Sequence, residues 1–275
     1  LGTYPDAVPS AYRMDPAALV SEIAFPRFTN VARAAGIDLL GLAGGVVADD
    51  LDNDGDIDLM ISQWGIRDPL HYFENLGDGT FVDRTDRLGL PGIVGGLNLV
   101  QADFDNDGWP DLYVARDSTP SLLYRNKRDG TFQEIAVEAG TAYGESGQEQ
   151  GSMGIAVGDY NNDGAMDIVK TNFMDETSTL YRNLTDWFFE DATFGAGLGL
   201  HTKVVGWGVE FFDLDQDGLK DIFMANGHIY PEMESAAKPD AVETYRQSKI
   251  LYWNLGNGAF RDLAAGLEPL GKRHS

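Results

Sequence analysis

The sequence contains no cysteine, which excludes disulfide bonds, thiolate metal sites and a cysteine nucleophile. It has no run of about twenty apolar residues, so we expect no helix that spans a membrane. Basic residues are scarce, because 20 Lys and Arg stand against 44 Asp and Glu and give a net charge of −24. A chain of this charge repels nucleic acid and anionic lipid surfaces, and we expect neither as a partner.

The abundant feature is a nine-residue acidic string that starts at Asp50, Asp103, Asp159 and Asp213. Every copy reads Asp-x-Asp/Asn-x-Asp-Gly-x-x-Asp, and every copy is followed by an aromatic-x-Asn string and then by a Phe. Self-similarity at a fixed period is typical of repeat architectures. We assign residues 1–24 to an N-terminal extension and residues 25–275 to the repeats. The predicted units are residues 37–90, 91–140, 141–198 and 199–267, with approximate bounds.

The pattern within each unit is that of β-strands. Short apolar runs flank each acidic string, and runs of this length favour strands buried on both faces. The aromatic-x-Asn string and the following Phe are separated by an Asx/Gly turn, which is typical of a hairpin. Each unit is therefore predicted as four antiparallel strands, A to D, with the acidic loop joining A to B. Four-stranded units in series predict an all-β fold, namely a β-propeller or an arc of one.

The string at residues 28–31 has the features of a D strand, and Gly36 follows Phe28 at the spacing that separates Phe132 from Gly140. We therefore predict one lone N-terminal strand in front of the four complete units. Four blades make a very small propeller, so we expect an arc of a larger ring that is closed by further residues or by a partner.

The acidic string supplies what calcium requires, namely six to eight hard oxygen ligands from a flexible shell. We predict side-chain ligands at positions 1, 3, 5 and 9 of the string and a backbone carbonyl at position 7, while the glycine at position 6 allows the sharp turn. Together the four strings are predicted to bind about four Ca²⁺ ions. The predicted ligands are Asp50, Asp52, Asp54, Asp56, Asp58, Asp103, Asp105, Asp107, Trp109, Asp111, Asp159, Asn161, Asp163, Ala165, Asp167, Asp213, Asp215, Asp217, Leu219 and Asp221.

Two details qualify these sites. Asn161 is neutral, so the third site carries less negative charge than the others, and we expect it to bind calcium more weakly. Position twelve, where an EF-hand has a bidentate Glu, is not acidic in any copy, so the sites are not EF-hands. An acidic turn that binds nothing is the alternative, and four copies with the glycine in place disfavour it. We expect the calcium to be structural and its affinity to suit a secreted, periplasmic or cell-surface protein.

Several strings resemble the FG-GAP/VCBS repeat family, and more closely the ASPIC/UnbV-type proteins similar to cartilage acidic protein. The strings that carry this resemblance are residues 107–120, 123–126, 151–154, 206–209, 226–231 and 245–247. The resemblance implies a secreted or surface-exposed propeller with calcium in its A–B loops.

A second site is predicted on the opposite face, where the B–C loops converge. Its candidate residues form a polar and aromatic set suited to a sugar or a peptide: Trp64, Arg116, Asp117, Asn172, His228 and Tyr230. The alternative is that they serve blade packing and turns. The fourth unit also carries an insertion, residues 232–247, which we interpret either as a lid or contact element or as a tolerated surface loop.

No Ser-His-Asp order, phosphate-binding loop or dinucleotide fingerprint stands out in the sequence. The main hypothesis is therefore a non-enzymatic, calcium-stabilised propeller that binds a protein partner or belongs to a larger assembly. Two alternatives stay open: a carbohydrate-binding, lectin-like propeller, and a domain that acts enzymatically on polysaccharides.

Overall fold

The computed structural model describes residue 13 and residues 28–42, 44–65, 68–89, 95–233 and 244–263. Three predicted segments lie outside these residues. They are the N-terminal extension apart from residue 13, residues 234–243 of the insertion, and residues 264–275 at the end of the chain.

The strands in the described residues form four separate antiparallel sheets, which we call blades 1 to 4, and each contains four strands in chain order. Blade 1 consists of β1 (Val46–Asp49), β2 (Asp58–Ile61), β3 (His71–Asn75) and β4 (Phe81–Asp83). Blade 2 consists of β5 (Asn98–Ala102), β6 (Asp111–Ala115), β7 (Leu122–Asn126) and β8 (Phe132–Glu134). Blade 3 consists of β9 (Ser152–Gly158), β10 (Asp167–Asn172), β11 (Thr179–Asn183) and β12 (Phe189–Asp191). Blade 4 consists of β13 (Gly206–Phe212), β14 (Asp221–Asn226), β15 (Ile250–Asn254) and β16 (Phe260–Asp262). A short 3₁₀ turn, Thr85–Arg87, follows blade 1, and helix α1 (Ala136–Ala139) follows blade 2.

The blades pack face to face around their first strands. β1 contacts β5, β5 contacts β9, and β9 contacts β13. One apolar layer fills each space between successive blades. In β6, Leu112 lies in the layer shared with blade 1, whereas its neighbour Tyr113 lies in the layer shared with blade 3. Because consecutive side chains of a strand point to opposite faces, a run that is apolar throughout serves two layers at once. The predicted all-β fold of four-stranded propeller blades is thereby confirmed.

The outer face of blade 4 is not covered by another blade of the described residues. Phe223 in β14 has the register position that Tyr113 has in β6 and Val169 has in β10. Tyr113 and Val169 are fully buried, but 39% of the surface of Phe223 is exposed, since no further blade of the described residues covers it. The size and closure of a larger ring stay a prediction.

The prediction of a lone strand at residues 28–31 is wrong. These residues are irregular, and the side chain of Phe28 is fully exposed. A strand needs a hydrogen-bonded partner, and none of the described residues pairs with this segment. The glycine that follows is nevertheless placed as in the complete units, because Gly36 ends a turn that docks against blade 1.

The turn after a D strand joins each unit to the next blade. In three of these turns the residue before the glycine accepts a hydrogen bond from the amide of the next D-strand phenylalanine, as Ala35 does from Phe81 at 2.8 Å and Ala196 from Phe260 at 2.8 Å. The glycine itself has a left-handed backbone and touches the same strand. A Cβ atom at Gly140 (φ +83°) would lie 2.9 Å from the carbonyl oxygen of Phe189. A side chain at such a position would push two blades apart.

Candidate metal centre

Each acidic loop joins the first and second strands of a blade, as predicted, and its ninth residue is the first residue of the second strand. Two positions set the curvature of the loop. The fourth residue is left-handed in every copy, with φ between 57° and 62°, and it is Asn in three copies and Gln216 in the last. The sixth is glycine with φ between 88° and 97°. Asn tolerates the left-handed region better than most residues, and glycine adopts it freely, so this sequence bends tightly.

The first carboxylate of each loop closes the turn. In the first loop, the amides of Asp54 and Gly55 donate to the two carboxylate oxygens of Asp50, each at 3.0 Å. The other three loops repeat this pair of hydrogen bonds. The loop shape therefore follows from the string itself.

The ninth carboxylate is buried in every copy, with at most 1% of its residue exposed. In blade 2, Asp111 accepts hydrogen bonds from the amides of Asn126 at 2.8 Å and Phe104 at 3.0 Å. Burial still raises the pKa of Asp111 to about 8 and that of Asp167 to about 7. Desolvation favours the neutral acid, whereas a bound cation favours the carboxylate, so these positions are suited to a positive charge nearby.

Three of the four loops gather carboxylates closely enough to hold a metal ion. Oxygens at positions 1, 3 and 9 lie within 4.8 Å of one another in the first, second and fourth loops. In two of them the third-position carboxylate has a buried oxygen without a hydrogen-bond partner among the described residues, namely Oδ1 of Asp52 and Oδ1 of Asp105. A buried, unpartnered carboxylate oxygen is costly in an otherwise satisfied site. A cation bound by the three carboxylates would satisfy it, so the residues present fit a metal ion.

The third loop differs, as its neutral residue predicts. Asn161 stands where the other loops have an aspartate, and its Nδ2 donates to Oδ2 of Asp163 at 2.9 Å. The amide therefore occupies a carboxylate that we predicted as a ligand. The roles of the fifth carboxylate and of the position-7 carbonyls at Asp56, Trp109, Ala165 and Leu219 stay predictions.

Arginine side chains reach two of the loops, which sequence reasoning missed. In the second loop, Arg128 forms an ion pair with Oδ2 of Asp107, and Arg125 lies with its Nη2 3.7 Å from Oδ2 of Asp105. In the third loop, Nη2 of Arg182 lies 3.6 Å from Oδ2 of Asp163. The signal was present in the sequence, because Arg125 and Arg182 occupy the middle of the aromatic-x-Asn string.

The Asn of that string links neighbouring loops. Nδ2 of Asn183 donates to the carbonyl of Met166 in its own loop at 3.1 Å and to that of Phe104 in the previous loop at 2.9 Å. Asn126 and Asn254 make the same two contacts in blades 2 and 4. Its backbone amide also holds the ninth aspartate. The loops are therefore fixed to one another as well as to their own blades.

The predicted ligand face separates into surface residues and structural ones. Nε1 of Trp64 donates to Oδ2 of Asp117 at 3.2 Å, which joins the B–C loops of blades 1 and 2, and half of Trp64 is exposed. Arg116 and Asn172 instead bond to backbone carbonyls, and Asn172 is buried. The assignment of all these residues to a ligand stays a prediction.

At the other end of this face the rings of His228 and Tyr230 have centroids 5.3 Å apart, and Phe173 contacts His228 at 6.2 Å. His228 is buried, whereas 56% of Tyr230 is exposed. Nδ1 of His228 accepts a hydrogen bond from the amide of Tyr230 at 3.1 Å. The exposed members of the predicted face are thus Trp64 at one end and Tyr230 at the other.

The FG-GAP-like repeat model matches residues 50–114 and 103–169 of this chain. The matched segments contain the first three acidic loops, so the expected resemblance to FG-GAP repeats is confirmed. Cartilage acidic protein 1 of Xenopus tropicalis is 34% identical over 86 residues, which make up 31% of this chain and 13% of that relative. The matched part is therefore a small part of the relative's length.

Two solved structures resemble the fold. An Agrocybe aegerita lectin, solved for its recognition of non-reducing terminal N-acetylglucosamine, aligns with a TM-score of 0.42 and 17% identity, over 78% of this chain and 50% of the lectin. BBS1N, solved in complex with ARL6DN, aligns with a TM-score of 0.47 and 12% identity, over 81% of this chain and 56% of BBS1N. Within the described residues, no helix has the length and apolar character needed to cross a membrane.

Proposed function

We propose that this chain, a protein built from FG-GAP-like repeats, is a calcium-stabilised propeller module that works outside the cytoplasm and binds a partner without catalysing a reaction. One observation carries the proposal, namely the repeated loop in which three carboxylates converge and a buried oxygen at position 3 lacks a partner. All of these ligands are hard oxygens on a flexible turn, which suits Ca²⁺ better than the strictly octahedral Mg²⁺.

The loops support a structural role for the ion. They contain no histidine, serine or cysteine that could act as a nucleophile or as a tuned base. Their carboxylates accept backbone amides, and the asparagines bond them to the previous blade. A cation here neutralises repulsion inside each loop and thereby stabilises the interface between blades. Affinities of roughly 10⁻⁴–10⁻³ M are typical of extracellular calcium modules, and this supports a location outside the cytoplasm.

Calcium is tested by thermal unfolding and calorimetry. At a free calcium concentration one hundredfold above Kd, one site adds about 2.7 kcal/mol of stability, which raises Tm by about 5–10 °C for a chain of this size. We expect EGTA to lower Tm by at least this amount and equimolar Mg²⁺ to restore little of it. Asp52→Ala should remove one binding event, whereas the matched control Asp86→Ala, at an exposed residue outside the loops, should remove none. Equal Tm values with EGTA and with calcium, together with no heat of calcium binding, would refute the proposal.

Glycan binding is the second candidate function, because the predicted ligand face exposes one large aromatic ring at each end. Sugars place their C–H faces against such rings. A glycan array with the intact protein tests it, using Tyr230→Ala and, as the matched control, Phe188→Ala. Phe188 is 62% exposed and lies in the turn between β11 and β12, at the end of the blade that carries the acidic loop. Glycan binding that is lost in Tyr230→Ala and kept in Phe188→Ala would make the module a lectin. An array without signal would rule out this candidate and favour the binding of a protein partner.

A further inference from the structure

The four predicted calcium loops do not share one electrostatic environment. In the second and third loops, arginines lie against carboxylates that belong to the loop itself. The pairs are Arg128 with Asp107, Arg125 with Asp105, and Arg182 with Asp163. In the first and fourth loops, no lysine or arginine of the described residues forms an ion pair with a loop carboxylate. The loops with arginine ion pairs belong to the two inner blades of the arc, and the loops without them belong to the two outer blades.

Arg125 and Arg182 are placed by one strand register, whereas Arg128 lies in the turn between β7 and β8. The backbone amide of the Asn in each third strand holds the ninth aspartate of its own loop, which fixes the residue before that Asn beside the loop. That residue is Glu74 in blade 1, Arg125 in blade 2, Arg182 in blade 3 and Trp253 in blade 4. In blade 1 it brings a further negative charge, although Arg84 binds that carboxylate at 2.9 Å. In blades 2 and 3 it brings a cation.

We propose that these arginines act as built-in counter-ions that compete with calcium, so that the sites of blades 1 and 4 fill first and those of blades 2 and 3 fill at higher calcium. The inference rests on the proposed calcium binding. An arginine paired with a ligand carboxylate must move away or share it when a divalent cation enters, and like charges close together weaken binding. The same arginines neutralise part of the carboxylate charge of the inner loops when calcium is absent.

The consequence is a graded response of the arc. At low calcium the inner blades retain their ion pairs, whereas the outer blades carry loops of unneutralised carboxylates that repel one another. The first loop is the extreme case, because it has an aspartate at all five odd positions. Calcium depletion should therefore loosen the outer blades before the inner ones.

The second loop can be followed by a difference measurement, because its position-7 residue is Trp109, while the register also places Trp253 beside the fourth loop. The other loops have Asp56, Ala165 and Leu219 at that position. Terbium replaces calcium in oxygen sites, and a tryptophan beside it excites its luminescence. The experiment titrates the intact protein with Tb³⁺, excites tryptophan, and repeats the titration in competition with Ca²⁺. Trp109→Phe identifies the part of the signal that comes from the second loop.

We expect calorimetry with calcium to resolve a tighter and a weaker class of sites, and the Trp109 signal to saturate with the weaker class. The double variant Arg125→Gln with Arg128→Gln should bind about three- to tenfold more tightly at the second loop, as expected for removing partly exposed charges. Arg33→Gln, an exposed arginine outside the loops, is the matched control and should change nothing.

Calcium binding in a single class, or an unchanged second-loop affinity in the double variant, would overturn the inference while leaving calcium binding intact. An absence of any calcium binding by the wild type would instead refute the proposed function.

Discussion

The side chain of Lys170 is buried in blade 3 with 1% exposure, and its ammonium group donates hydrogen bonds to two neutral hydroxyl groups. Nζ lies 3.0 Å from Oγ of Ser152 and 3.4 Å from Oγ of Ser121, and 5.5 Å from the centre of the Tyr181 ring. Burial lowers the pKa of Lys170 from its ordinary 10.5 to about 7, because the charged form loses its hydration. The charges of Glu176 and Asp191 oppose this shift only in part.

The sign of the pH dependence follows from this lowered pKa. Between pH 7 and about 10.5 the unfolded chain binds a proton at Lys170 that the folded protein does not, so stability rises with pH in that window. Each pH unit contributes about 1.4 kcal/mol. From 10.5 to about 7 the total is about 5 kcal/mol in favour of the alkaline side. Below pH 7 both states are protonated and the full cost of burying the charge persists.

Lys170→Met isolates this contribution. Blade 4 already places Met224 at the same register position, buried to 1% exposure, so a methionine fits the fold there. We expect the variant to be more stable than the wild type at pH 6, with an advantage that shrinks by about 1.4 kcal/mol per pH unit above pH 7. Urea unfolding of both proteins in saturating calcium from pH 6 to 10 measures the difference, which cancels all other titrating groups. A difference that stays constant over this range would refute the reasoning.

Two further substitutions test the contacts between blades by thermal unfolding. Gly140→Ala should cost about 2–4 kcal/mol, because its left-handed backbone and the nearby carbonyl of Phe189 both oppose a Cβ, whereas Gly147→Ala (φ +75°, with open space around it) should cost only about 1–2 kcal/mol. Equal costs at the two glycines would contradict the close approach of the blades. Asn183→Ala should cost about 2–4 kcal/mol through the carbonyls left unpaired on two loops. Asn75→Ala should cost about 1 kcal/mol, because among the described residues Nδ2 of Asn75 bonds only to its own loop at Ile57. A loss for Asn183 no larger than that for Asn75 would remove the inter-loop role.

The sequence was sufficient for features that depend on neighbours in the chain. The carboxylates of one loop come from nine consecutive residues, so their spacing determines their geometry. The neutral amide in the third loop was likewise predictable from Asn161 alone, whereas the weaker calcium binding expected there stays a prediction. The four strands of each blade followed from apolar runs separated by turns, since every hairpin is local.

Features that depend on distant segments were not predictable. Asn126 was recognised as part of a motif, but its bond to Leu51 crosses 75 positions of the chain. The arginines at the inner loops required the register of the third strand against the loop. The predicted strand at residues 28–31 failed for the same reason, because a strand exists only with a partner. On the predicted ligand face, sequence identified Asn172 as polar but could not show that it is buried.

The contacts that the glycine turns and the asparagines make between blades have one property in common, which is that their acceptors are backbone carbonyl oxygens. The glycine turn offers a main-chain carbonyl to the next blade, and the asparagine reaches the main chain of the previous loop. Every residue has such a carbonyl, so neighbouring blades need no matched pair of side chains at these joints. Repeats joined in this way are interchangeable, because a duplicated or transplanted repeat can make the same backbone contacts with its new neighbours. The surface side chains do not take part in these contacts, so they can change to suit new partners.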